Sequence, residues 1–177
     1  MSPVLFVLGP SGVGKSCVSK GLEEDYLFLH LDIDQNRGFE VNDFPAEWDE
    51  DISRINFAQL ATSVHRRVAV EHRAGAVLSF PTIHVFSPQQ LKAASRVGIS
   101  TVVLWGTEER CIDARRVRAK KNRVKFDLVR YQRKNRESFE TYAQSEYAHL
   151  RLEAFRPEGS RWPREHLLAL IMARTSG

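Results

Sequence analysis

The sequence predicts an α/β domain of three layers, a parallel sheet covered by helices on both faces. Three observations carry the prediction. Short apolar runs alternate with longer stretches of helical periodicity, the pattern of strand–helix–strand units. The first run, Val4 to Leu8 (VLFVL), is apolar at every position, which fits a strand with no wet face. The chain of 177 residues, 42% hydrophobic and 27% charged, has the size and composition of one globular domain, 1–177. The same composition excludes a disordered tail, a collagen-like fibre and a disulfide-dense miniprotein.

Each element has a local reason. Besides Val4 to Leu8, the strand candidates are Tyr26 to Leu31, Ala76 to Phe80, Ser100 to Trp105 and His149 to Phe155. In the last of these, polar residues alternate with apolar ones. Phe57, Leu60, Ala61, Val64 and Val68 recur at helix spacing, with Gly75 as the stop. Ser87-Pro88 opens a helix, serine as N-cap and proline in the first turn. Thr107 caps another, with Glu108 and Glu109 at its positive end. Asp127 to Tyr147 reads as a long helix and Arg164 to Met172 as a terminal one. No apolar run reaches the roughly 18 residues of a membrane span. Met1-Ser2-Pro3-Val4 enters the first strand without a basic leader, and Cys17 and Cys111 allow one disulfide at most. The expected compartment is the cytoplasm.

The strongest motif is Gly9-Pro10-Ser11-Gly12-Val13-Gly14-Lys15-Ser16, directly after the first strand. It fits G-x-x-x-x-G-K-[ST], and the chemistry explains each fixed position. A triphosphate must be wrapped closely by backbone N–H groups, and glycine permits that approach. The following helix turns its N–H groups and positive dipole toward the phosphates. Lys15 would reach the β- and γ-phosphates, and the Ser16 hydroxyl would hold Mg²⁺. Cys17, next in the chain, reads as a small residue at the helix start.

The second strand ends Leu31-Asp32-Ile33-Asp34. Ligands of a parallel sheet sit beyond the carboxyl ends of its strands, so both aspartates fall where the glycine-rich loop opens. Two residues apart on an extended chain, they point to one side. Transfer of a phosphoryl group to an alcohol needs a metal on the phosphate and a group to deprotonate the hydroxyl. Asp32 suits the metal and Asp34 the proton. The bland reading of the pair is turn chemistry at a strand end. Beyond them, Arg37, Phe44, Trp48 and Arg54 supply aromatic faces for a ring and arginine forks for a carboxylate or phosphate. The bland reading there is a surface loop anchored by Trp48.

Charge is unevenly spread. The formal net charge is +4, yet Arg115 to Arg136 holds eleven basic residues and one acid, leaving the rest of the chain at −6. Such a segment meets something anionic, nucleic acid or nucleotide phosphates. The six histidines show no metal-binding spacing.

Together the glycine-rich loop, the aspartate pair, the arginine-rich segment and the length resemble the nucleoside-monophosphate-kinase-like group of phosphate-loop kinases. Shikimate kinase and gluconate kinase belong to that group. The resemblance implies a phosphate-loop α/β/α sandwich with a five-stranded parallel sheet, ATP as donor, Mg²⁺, and a small hydroxylated metabolite as acceptor. It places a lid at about 115–125, whose Arg115, Arg118 and Arg123 would meet ATP, with Arg118 on the transferring phosphate. The acceptor region would be about 35–73. Arg136 is loosely similar to an acceptor arginine of shikimate kinases. Where those enzymes carry a glycine triplet this sequence has Phe80-Pro81-Thr82-Ile83-His84, so the acceptor stays open. A nucleoside or nucleotide kinase, gripping its acceptor with Arg54 and Arg66 or Arg67, is the second enzyme reading. A nucleotide-binding module that holds nucleic acid through the basic segment is the reading from another class. The lid takes precedence over it, which leaves ATP, ADP and the metabolite as partners, no membrane, and a monomer or homodimer.

Overall fold

Every residue of β1 (Val4–Leu8) is fully buried. It lies at the centre of a five-stranded sheet of order β2-β3-β1-β4-β5, all neighbours parallel. The computed structural model describes residues 2–33 and 56–175. Its elements are β1, α1 (Lys15–Tyr26), β2 (Phe28–Asp32), α2 (Phe57–Val70), β3 (Gly75–Ser79), α3 (Pro88–Arg96) and β4 (Ile99–Trp105). There follow α4 (Glu108–Lys121), α5 (Leu128–Tyr142), β5 (Arg151–Glu153) and α6 (Arg164–Thr175).

The continuous apolar run in β1 is explained by two cores. Alternate side chains point to opposite faces. Val4, Phe6 and Leu8 pack with Leu60, Val64 and Val68 of α2 and Leu91 of α3. Leu5 and Val7 pack with Val18 and Leu22 of α1 and Leu167, Leu168 and Ile171 of α6. Under the carboxyl end of the sheet, the Phe6 ring meets Phe57, Phe80 and Phe86 at centroid distances of 5.9, 4.8 and 5.9 Å. Truncating such a ring costs about 3–5 kcal/mol. Phe80 also lines the cleft described below, so the core fixes where the chain leaves β3.

Capping follows the local signals. Ser87 Oγ accepts from the Gln90 N–H at 3.2 Å, and Gln90 Oε1 accepts from the Ser87 N–H at 2.7 Å, a complete capping box. Thr107 and Asp127 accept from the N–H groups of Arg110 and Arg130, opening α4 and α5.

Four expectations are corrected. The second strand starts at Phe28, because Tyr26 still belongs to α1 and Leu27 turns the chain at φ 57°. α2 stops at Val70 with His72 in the left-handed turn at φ 52°, whereas Gly75 opens β3. A Cβ on Gly75 would sit 2.6 Å from the Pro3 carbonyl oxygen, so close strand approach explains that glycine. The helix expected to reach Tyr147 ends at Tyr142 and passes into a 3₁₀ segment, Ser145–Leu150. Continued as an α-helix, Tyr147 would stand about 140° around from Tyr142. Instead the two rings pack at 5.2 Å, and Tyr147 donates to the Phe86 carbonyl at 2.7 Å. The last strand shrinks to Arg151–Glu153, since Phe155 leaves the sheet to pair with Arg161.

Candidate functional site

The glycine-rich loop joins β1 to α1 at the carboxyl edge of the sheet. Gly9, Gly12 and Gly14 all have positive φ, at 129°, 103° and 102°. A Cβ on Gly9 would overlap the Leu104 carbonyl, and one on Gly12 would lie 2.6 Å from the Cys111 carbonyl oxygen. Neither site admits a side chain, which is why the loop can lie flat across β4 and α4. Lys15 Nζ donates to the carbonyls of Gly9 at 2.7 Å and Pro10 at 3.1 Å, bracing the loop from within. Ser16 and Cys17 are exposed beside it.

α5 braces the loop from outside. The Tyr131 hydroxyl donates to the Ser11 carbonyl at 2.7 Å, and the Ser11 N–H donates to Asn135 Oδ1 at 2.7 Å. Burial holds the Tyr131 phenol well above its ordinary pKa, so it stays a donor. From the β5–α6 connection Arg161 donates to the Gly12 carbonyl, and its guanidinium lies 5.5 Å over the Phe155 ring. On the α4 side Arg115 packs against Gly12, its Cγ 3.2 Å from where a Cβ would be. Arg115 Nε is buried without a hydrogen-bond partner. A buried guanidinium donor left unmade beside a phosphate-type loop fits an anion that enters from the cleft.

The cleft itself is open and measures about 1390 Å³, more than the usual 300–1,000 Å³ of a single-ligand pocket. That leaves room for a nucleotide and a second substrate. Among the described residues lining it are nine cationic side chains against five carboxylates, an excess suited to phosphates. Lys15, Ser16, Cys17, Asp32, Arg115 and Arg118 all face this space. Arg115 to Lys121 form the last two turns of α4, so the basic segment is partly helix. Arg123 closes the helix in the left-handed region, at φ 54°, and does not line the cleft. Arg136 is exposed on α5 and also lies off the cleft. The α5 cations that face it are Arg130 and Lys134. Asp34, Arg37, Trp48 and Arg54, together with Phe44, lie outside the described residues.

At the strand ends Asp32 stands opposite Ser79 in register, and both line the cleft. His30 backs them: its Nε2 is 3.2 Å from Ser79 Oγ and its Nδ1 3.8 Å from Glu23. Burial lowers the His30 pKa against the opposing pull of Asp32 and Glu23. The described residues hold no group of three or more His, Cys, Asp or Glu side chains suited to a metal. Hydroxyl and carboxylate oxygens from Ser16 and Asp32 instead suit a hard cation carried by phosphates and water.

Sequence reasoning missed Tyr131, Asn135 and Arg161 at the loop, and Arg130 and Lys134 in the cleft. One signal was present. Tyr131, Asn135, Ser138 and Tyr142 recur at helical spacing and are the buried stripe of α5. Arg130 and Lys134 adjoin that stripe; Arg136 does not. Nothing local marks Arg161.

The glycine-rich loop after the first strand, the five-stranded parallel sheet and the helices on both of its faces make the three-layer phosphate-loop α/β/α fold that the sequence predicts. The whole chain is similar to a gluconokinase from Sinorhizobium meliloti, with 16% identity over 99% of this chain and 92% of that one, TM-score 0.56. It is likewise similar to a sugar kinase from a Janibacter species, with 15% identity over 99% and 95% of the two chains, TM-score 0.53. No protein-family model and no curated protein matches it. No helix among the described residues is long and apolar enough to cross a membrane.

Proposed function

We propose that the protein is an ATP-dependent phosphotransferase that moves the γ-phosphate of ATP to a hydroxyl of a small metabolite. The observation that carries this reading is one cleft shared by the phosphate loop, the Asp32 carboxylate and a wall of arginines. On this reading the Gly12-to-Cys17 backbone and Lys15 bind the β- and γ-phosphates. Lys15 exchanges its bonds to Gly9 and Pro10 for phosphate oxygens. Arg115 and Arg118 neutralise charge on the transferring group, and donors placed there favour the transition state over the ground state. Ser16 and Asp32 would hold Mg²⁺, which supplies charge neutralisation across the phosphates when bound. Asp34 takes the proton of the attacking hydroxyl. Arg37, Trp48 and Arg54 line the acceptor and 115–125 acts as the lid, with Arg123, off the cleft in this arrangement, meeting ATP when the lid closes. Arg136, off the cleft in this arrangement, would reach an acceptor only if α5 moved. The sugar and gluconate specificities of the similar structures make polyhydroxylated acceptors the first class to try.

The test is a screen of ADP release from ATP and Mg²⁺ against sugars, sugar acids, cyclitols, nucleosides and nucleotides. One class should raise ADP release at least about a hundredfold over the rate with water, the lower end of what a placed acid–base group contributes. Lys15→Ala should abolish that increment. ADP release that no class stimulates and that Lys15→Ala leaves unchanged overturns the proposal.

A further inference from the structure

We propose that Asn135 is a positioning residue for phosphoryl transfer, one buried side-chain oxygen that holds the phosphate loop and the loop after β3 in register across the cleft. The inference rests on the phosphotransferase reading above and adds a residue to it. Asn135 is 2% exposed, near the middle of α5. Its Oδ1 accepts from two donors on different walls of the cleft. One is the Ser11 N–H in the phosphate loop at 2.7 Å; the other is the Thr82 hydroxyl, after β3, at 2.8 Å. The Nδ2 end donates to the Tyr131 carbonyl one turn earlier at 2.8 Å, which fixes the amide so that its oxygen faces the two loops. Tyr131 then grips the other side of the same peptide unit region through the Ser11 carbonyl.

An amide oxygen has two lone pairs, and both are used here. Ser11 cannot shift toward a bound phosphate without altering the bond that Thr82 shares with it. Thr82 follows Pro81 and precedes Ile83, all three facing the cleft beyond the end of β3, on the side away from the β5–α6 connection. A displacement of about 1 Å between reacting groups can cost on the order of a hundredfold in rate. A shared acceptor between the two walls limits that displacement.

The test uses the full chain and the nonhydrolysable analogue AMPPNP with Mg²⁺. Amide exchange is followed across residues 80–86 with and without AMPPNP, and affinity is measured by calorimetry. In the wild type, AMPPNP should slow exchange across 80–86 by at least about threefold. Thr82→Val, which deletes only the hydroxyl link, should bind AMPPNP yet lose that slowing; Thr82→Ser should restore it. Asn135→Ala should lose the slowing and weaken AMPPNP by roughly five- to thirtyfold, the range of one or two lost hydrogen bonds. Thermal melts of the Thr82 variants without ligand separate this from simple destabilisation, since equal melting points with unequal exchange require a link carried by the hydroxyl. AMPPNP binding with no slowing in the wild type, or the same slowing in Thr82→Val, overturns the inference and leaves the kinase reading standing. No AMPPNP binding to the wild type overturns both.

Discussion

Lys15→Met tests the phosphate loop most directly, because it removes the charge and keeps most of the aliphatic stem. Without ligand, the substitution deletes two hydrogen bonds from a half-buried ammonium to the Gly9 and Pro10 carbonyls, at 2.7 and 3.1 Å. Both bonds lie at the wall of an open cleft, so water can replace the lost donor. The expected cost is therefore about 1 kcal/mol, and not the several kcal/mol of two carbonyls stranded in a dry core. For a domain of this size that lowers Tm by about 2–4 °C. The contrast comes with nucleotide. At a concentration of AMPPNP one hundred times its Kd, the wild type should gain about 2.7 kcal/mol. Losing one charge-assisted contact of about 1.5–3 kcal/mol weakens binding roughly ten- to 150-fold. At the same AMPPNP concentration the variant then gains only about 0.3–1.4 kcal/mol. Differential scanning calorimetry with and without AMPPNP reads both numbers. An AMPPNP-induced shift equal to that of the wild type refutes a phosphate role for Lys15. A loss above about 4 kcal/mol without ligand shows instead that Lys15 is chiefly a strut.

Three further outcomes are expected. Arg123 holds the left-handed position in a helix-ending motif in which the Val124 and Arg123 N–H groups donate to the Ala119 and Lys120 carbonyls. Arg123→Gly should therefore stabilise the chain by about 0.5–1 kcal/mol in urea unfolding, and a lower midpoint would count against this geometry. Burial pushes the Cys111 thiol up to about 12. From about pH 8.5 upward the unfolded chain gives up a proton that the folded chain keeps, so stability falls with pH by up to about 1.4 kcal/mol per unit. Cys111→Ala should remove that part of the slope below pH 10, and an identical slope in both proteins rules out this thiol as its source. Cys17 is exposed in the cleft and Cys111 is buried, so one thiol per native chain should react quickly with a disulfide reagent. AMPPNP should slow that reaction at least about fivefold when the site is mostly filled, and unaltered kinetics would place the nucleotide away from Cys17.

Much of the fold was legible because its causes are local. The unbroken apolar run of β1 predicts a strand buried on two faces, and Ser87-Pro88, Thr107 and Asp127 satisfy the first N–H groups of the helices they open. The glycines of the phosphate loop are legible for the same reason, since each answers to φ or to a Cβ clash. Asp32 was legible from its place at a strand end, and the structure sets it in the cleft beside Ser79. Local signals failed where one residue's role depends on another far along the chain. Tyr147 leaves the α-helical path to reach Phe86, and His72 in place of Gly75 makes the turn after α2.

The same distinction divides the site. Sequence alone determined that a phosphate-type loop follows the first strand and that basic residues concentrate in one segment, Arg115 to Arg136. Only the tertiary structure decided which cations face the cleft, selecting Arg130 and Lys134 on α5 and leaving Arg136 off it. It alone joined Ser11 to Asn135 across 124 residues and Gly12 to Arg161 across 149. Backbone conformation is governed by sterics within a few residues, so its rules can be read along the chain. Hydrogen bonds and ion pairs between distant elements depend on helix rotation and strand order, which are set by packing of the whole core.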